Sequence, residues 1–207
     1  MKIVRIFGNR LFAFQYEGEE DNEYDRLMDL WTDPVYIRDF LKENLPSGLQ
    51  LNEAIKVIRD DSEKLDDALA ALARDNMLKV ETFFKPLHNE EYHVRSLSKQ
   101  KARKNYLRLY AIRIDEDCFV ITGGAIKLIH LMKDSPHTSK ELAKLEKARS
   151  FLREQGISDV DSFFEFEPYF KMAKKYPEST HMLCLSFADS PDEILAYKMY
   201  LKAMKRG

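Results

Sequence analysis

Cysteine is nearly absent from this chain of 207 residues, whose two thiols, Cys118 and Cys184, sit in the apolar runs Cys-Phe-Val-Ile and Met-Leu-Cys-Leu. Thiols in such surroundings behave as small buried hydrophobes, so the sequence offers no disulfide framework. Long hydrophobic runs are missing as well. No segment approaches the roughly 18 apolar residues of a membrane span, and Met1-Lys2-Ile3-Val4-Arg5-Ile6-Phe7 lacks the apolar stretch of a secretory signal. A cytoplasmic location is expected. The sequence contains no GxxxxGK[ST] loop, no GxGxxG, no HExxH and no GxSxG, which removes the common nucleotide, dinucleotide, zinc-protease and hydrolase sites. His88, His93, His130, His137 and His181 show no ligand spacing, so neither a metal site nor a cofactor is expected.

Charge of one sign is also lacking, since the formal net charge is only -2. Along the chain, however, the distribution is uneven. Residues 17–76 hold 17 acidic side chains against 7 basic, and residues 98–153 hold 13 basic against 6 acidic. A phosphate-rich ligand would choose the second segment. The alternative is that the two segments pack together and neutralise each other through several ion pairs.

Hydrophobic residues at 44% and aromatics at 12% suffice for a folded core. Two apolar runs at 2–7 and 10–16, joined by Gly8-Asn9, predict a hairpin. Tyr24, Leu27, Met28, Leu30 and Trp31 recur at helical spacing, and Asp33-Pro34 begins a second helix with an N-cap carboxylate and a first-position proline. A longer helix is expected over about 52–76, either continuous or broken near Asp60. The apolar run at 106–114, with its turn at Asp115-Glu116-Asp117, and the run from Cys118 predict paired strands, the second extending past Gly123-Gly124 to about 131. A helix over 138–155 stops at Gly156. Residues 158–207 are aromatic at 163–170, with a strand expected at 182–187 and a helix at 194–204. The expected fold is α+β: an antiparallel sheet, made of the N-terminal hairpin plus strands 106–114 and 118–131, covered on one face by helices. The expected domains are 1–157, with an acidic helical insertion at about 20–76, and a C-terminal appendage over 158–207 packed on it.

Lys85-Pro86-Leu87, the basic segment Lys99 to Lys104, Leu107-Arg108 with Tyr110, Gly123-Gly124, the Lys127 to Lys133 loop, and Thr138 with Glu141-Leu142 follow one another in that order. This order resembles the RelE/HigB toxin superfamily, in particular its phage-derived HigB-like branch, over residues 78–153. In that branch a "KPL" element precedes an "LR…Y" strand, a second strand ends near glycine, and a "KTP" turn leads into a helix with "EI..A". The lysine and proline of the turn are His137 and Ser139 here. The resemblance implies a toxin or toxin-derived protein, a metal-free endoribonuclease acting on mRNA at the ribosome and held by an antitoxin protein.

RNA supplies its own 2′-hydroxyl nucleophile, so the protein need provide only a base, cations for the phosphorane and an acid for the leaving oxygen. Arg108, Lys127 and His130 are the candidate catalytic residues. Lys104, Tyr106, Tyr110, Arg113 and Lys133 are candidates for substrate binding, the tyrosines by stacking on a base. Strand parity sets Tyr106, Arg108 and Tyr110 on one face and Arg113 on the other. A non-catalytic protein-binding module with the same fold is the alternative.

Overall fold

The structure is a computed structural model that describes residues 1–75, 77–94, 96–128 and 136–166. Residues Met1–Phe163 form one compact unit. The strand and helix expected at 182–187 and 194–204 lie outside the described residues, as does Cys184.

Strands β1 (Lys2–Phe7) and β2 (Leu11–Gln15) form the N-terminal hairpin, turned by Gly8 at φ 53°. Helix α1 (Glu23–Thr32) starts where the Asn22 side chain accepts the Tyr24 and Asp25 N–H groups at 3.0 and 3.1 Å. Helix α2 (Pro34–Asn44) starts on Asp33, which accepts the Val35 N–H at 2.8 Å, with Pro34 needing no partner at the first position. Helix α3 (Leu51–Arg74) is continuous through Asp60. A single turn, α4 (Val80–Phe83), leads to the two-residue strand β3 (Lys85–Pro86), and a 3-10 turn over Asn89–His93 precedes β4 (Ser98–Lys104). Strands β5 (Leu107–Asp115) and β6 (Cys118–Ile126) are followed by α5 (Pro136–Glu154) and α6 (Val160–Phe166).

The six strands form one sheet in the order β1-β2-β6-β5-β4-β3. The fold is α+β, and β5 pairs antiparallel with β6 as the sequence predicts. Besides the two added strands β3 and β4, three features differ from expectation. Strands β2 and β6 run parallel, matching Leu11 with Phe119 and Ala13 with Ile121, so the hairpin joins the sheet through a parallel seam. Strand β6 ends at Ile126 instead of continuing to 131. Helices cover both faces instead of one. Leu107, Leu109, Ala111, Phe119 and Ile121 pack on Leu27, Trp31, Ile37, Leu41, Ile58 and Leu69 of α1–α3. On the opposite face, α5 lies on β5 and β6, Phe12 meets Phe163 edge-on at 5.0 Å, and Phe14 meets Phe151 at 5.9 Å. Both central strands are therefore buried on two sides, as their nearly unbroken apolar runs require.

Arg10 ties the hairpin turn to the far end of the α3 layer. Its Nη1 donates to the Leu72 carbonyl and, at 3.0 Å, to that of Asp75; its Nη2 donates to the Leu78 carbonyl and pairs with Asp117 at 2.6 Å. A cation at a helix C-terminus satisfies carbonyls that have no intrahelical donor. Arg10→Ala orphans them, and the expected loss is about 2 kcal/mol of unfolding free energy by urea titration. A variant within about 0.5 kcal/mol of wild type would show that water replaces the clamp, since that is the usual range for uninvolved surface changes.

Candidate functional site

Strand β4 is made of Ser-Lys-Gln-Lys-Ala-Arg-Lys and pairs with β5 in the register Lys99↔Ile112, Lys101↔Tyr110, Arg103↔Arg108 and Lys104↔Leu107. Directly paired residues point to the same side of a sheet. Lys101 and Arg103 therefore share the α5 side with Arg108 and Tyr110, whereas Ala102 joins the core of the α1–α3 side. Arg108 pairs in turn with Ala125 of β6, and the Lys127 N–H donates to the Tyr106 carbonyl at 2.7 Å, carrying the ladder one step beyond the strand. Lys101, Arg103, Arg108 and Lys127 are thus neighbours at one end of the sheet.

Their charges act on one another. Burial first, and then the positive charges of Lys127, Arg108 and Arg103, pull the Lys101 pKa below that of an ordinary lysine. Burial and Arg103 likewise lower that of Arg108. Among the described residues none of the four has a carboxylate partner. The Lys101 ammonium donates to the Leu87 carbonyl at 3.0 Å, and Arg108 Nη1 donates to the carbonyls of Asn105 and Leu107, both at 2.7 Å. Arg108 is 8% exposed. Each cation in such a cluster raises the cost of charging the next.

The other sequence candidates fall differently. Tyr110 is buried and Tyr106 packs against the core of the α1–α3 side, so Tyr106 does not share the Arg108 face and neither ring stands open beside the cations. The turn at Asn105-Tyr106 breaks the strand parity that the sequence reading carried back to Tyr106. Lys104 is exposed and pairs across the turn with Leu107, a core residue of the α1–α3 side. Arg113 lies on that side too, about 17 Å along the strand from Arg108 at 3.3 Å per residue, and pairs with Glu81 at 3.3 Å. His130 and Lys133 lie outside the described residues. Lys101 and Arg103 were missed; the signal was the alternation Lys99, Lys101, Arg103, which means one face only if the segment is a strand.

A second polar centre sits where β2 leaves β6. Beyond Ala13 and Ile121 the two strands separate, and β6 carries a bulge: Tyr110 faces Gly123 and Ala111 faces Ile121, leaving Thr122 unmatched. Glu141 of α5 enters the gap and accepts the Gly124 N–H at 3.0 Å, while the Tyr16 hydroxyl donates to the Thr122 carbonyl at 2.8 Å. Glu23 of α1, 2% exposed, is held by Arg26 at 2.7 Å and Lys144 at 3.0 Å. Lys144–Glu23 is the one ion pair joining residues 17–76 to 98–153 among the described residues. Other pairs lie outside that combination of segments: Glu81 with Arg113, Glu91 with Arg149 and Lys99, Glu116 with Lys79, and Glu146 with Lys99. The acidic helices lie on the other side of the sheet from Lys101 and Arg103.

Burial raises the Glu141 pKa above the ordinary carboxylate value and Glu23 adds to the rise, against Lys144, Arg26 and the Gly124 N–H. The unfolded chain titrates this group near about 4.3. Between that value and the raised one the folded state holds more protons, so stability falls as pH climbs through the window. Glu141→Gln keeps an acceptor for Gly124 and removes the titration. Urea melts are expected to show a flatter pH dependence and, at pH 8, stability no lower than wild type; a variant weaker at pH 8 than at pH 5 would contradict this.

Among the described residues no group of three or more His, Cys, Asp or Glu side chains is arranged to hold a metal ion, and no helix is long and apolar enough to cross a membrane. No protein-family model, curated protein or solved structure matches the chain.

Proposed function

We propose that this protein is a RelE/HigB-like toxin or toxin-derived protein that binds messenger RNA along the Lys101, Arg103, Arg108 and Lys127 ridge and cleaves it without a metal. The observation carrying this reading is the grouping of Arg103, Arg108 and Lys127 around Lys101 at one end of the sheet, with no carboxylate partner for any of the four among the described residues. Arg108 stabilises charge on the phosphorane, Lys127 holds the adjoining phosphate, and Arg103 extends the contact along the strand. Lys101, drawn below an ordinary lysine by burial and by neighbouring cations, suits the removal of the 2′-hydroxyl proton, and His130 in its protonated form the return of a proton to the leaving 5′-oxygen. An antitoxin protein would need to cover this ridge.

The test is binding and cleavage of a defined message, with and without ribosomes, over a range of salt. A ridge making three or four phosphate contacts gives a plot of log affinity against log salt with a slope of about -2 to -3, and Arg103→Ala lowers its magnitude by about 0.7. Salt-independent binding, or none, would remove the RNA reading. The second reading, a protein-binding module, is favoured by one observation: Tyr110 is buried and Tyr106 packs partly buried against the α1–α3 core, so neither stands beside the cations as a platform for a base. Growth on induced expression separates the two, since a ribonuclease toxin arrests the host.

A further inference from the structure

We infer that Asp61 and Asn105 are positioning residues that aim Arg108 at its phosphate, an inference that rests on the RNA reading above. Asp61, on the acidic helix α3, is 2% exposed, and a buried carboxylate without a full partner is costly. Its two oxygens accept from the Asn105 amide at 2.8 and 3.1 Å. Asn105 occupies the turn between β4 and β5 at φ 37°, a left-handed conformation that asparagine tolerates better than most residues.

The carbonyl of that same Asn105 accepts from Arg108 Nη1, and the Leu107 carbonyl accepts from Nη1 as well. Asp61 is on the α1–α3 side and Arg108 on the α5 side, so the turn carries the constraint around the end of the sheet. Both Nη1 protons are engaged by backbone oxygens. Among the described residues no partner engages the Nε and Nη2 edge, one of the two flat edges with which a guanidinium grips a phosphate in bidentate fashion. A guanidinium pinned by one nitrogen loses little further freedom on binding, which is what transition-state stabilisation demands. The acidic helical layer thereby acquires a role at a site it does not touch.

The test separates aim from folding. Asn105→Gly keeps the positive φ and the carbonyl but removes the amide, and is expected to lower kcat for RNA cleavage by about 10- to 100-fold with KM nearly unchanged. Arg103→Ala should instead raise KM. Asn105→Asp sets two carboxylates together and is expected to be worse than Asn105→Gly. The exchange Asp61→Asn with Asn105→Asp re-forms the contact with donor and acceptor reversed and should restore kcat, a rescue that a loss of folding would not show. In parallel, nitrogen-15 spectra of arginine side chains should show restricted guanidinium rotation for Arg108, assigned with Arg108→Lys, and free rotation after Asn105→Gly. Unchanged kcat and unchanged Arg108 signals in Asn105→Gly would overturn the relay while leaving the RNA reading intact. A wild type that neither binds nor cleaves RNA would overturn that reading and the relay's purpose with it.

Discussion

Gly124→Ala is expected to destabilise the fold by about 3 kcal/mol, the upper part of the range for forcing atoms into a filled core. A Cβ built at Gly124 falls 2.7 and 2.8 Å from the Trp31 ring and 2.8 Å from the Arg108 carbonyl. Neither neighbour can withdraw: Trp31 is 1% exposed beneath the sheet, and the carbonyl belongs to the paired β5 strand. At Gly123 the added carbon would lie 2.1 Å from a Glu141 side-chain oxygen, and a side chain can swing away where a strand cannot. Gly123→Ala is therefore expected to cost less, about 1 to 2 kcal/mol including the lost hydrogen bond to the Gly124 N–H. Thermal or urea unfolding of both variants gives the ranking. If Gly123→Ala proved the more damaging, the Glu141 contact and not the Trp31 contact would be what the glycine pair protects.

That pair was visible in the sequence, but its purpose was not. A Gly-Gly in a strand signals a bulge or a close approach, and both occur here; the approaching groups, Trp31 and Glu141, come from distant segments that no local pattern connects. The elements written in local chemistry were legible: the hairpin around Gly8, the Asp33-Pro34 start of α2, the apolar stripe of α3, and the alternation in β5. Strand β4 was not, because Ser-Lys-Gln-Lys-Ala-Arg-Lys has none of the β-branched or aromatic residues that favour strands, and exists as one through its pairing with β5. The parallel seam of β2 with β6 was hidden for the same reason, since it is a non-local contact. A cue to the second helical layer was present and unused: unbroken apolar runs such as Cys-Phe-Val-Ile in β6 indicate a strand covered on both faces. At the site, Arg108 and Lys127 could be chosen from their places beside Gly123-Gly124, whereas Lys101 and Arg103 depended on recognising β4, and Asp61 on a side-chain contact across a turn.

Arg108→Ala is expected to reduce RNA cleavage by about 100- to 1,000-fold, the usual consequence of removing one donor aimed at charge that develops in the transition state. Arg108 stands at the centre of the cluster, paired with Arg103 on one side and with Ala125 on the other. Removing it also relieves repulsion. Lys101 loses one of the three charges that hold its pKa down, so the lysine pKa rises toward its ordinary value. The variant therefore predicts two readouts moving together: a fall in the single-turnover rate, and a displacement to higher pH of the ascending, acid-side limb of the pH–rate profile, which reports the proton acceptor. Folding should survive, because among the described residues Arg108 is bonded to backbone carbonyls at the strand end, which water can reach once the side chain is gone. Arg108→Lys keeps the charge but lacks the planar fork, so it should recover binding at low salt without recovering the rate. Full cleavage by Arg108→Ala would assign the chemistry to other residues and leave the ridge as a site of attachment alone.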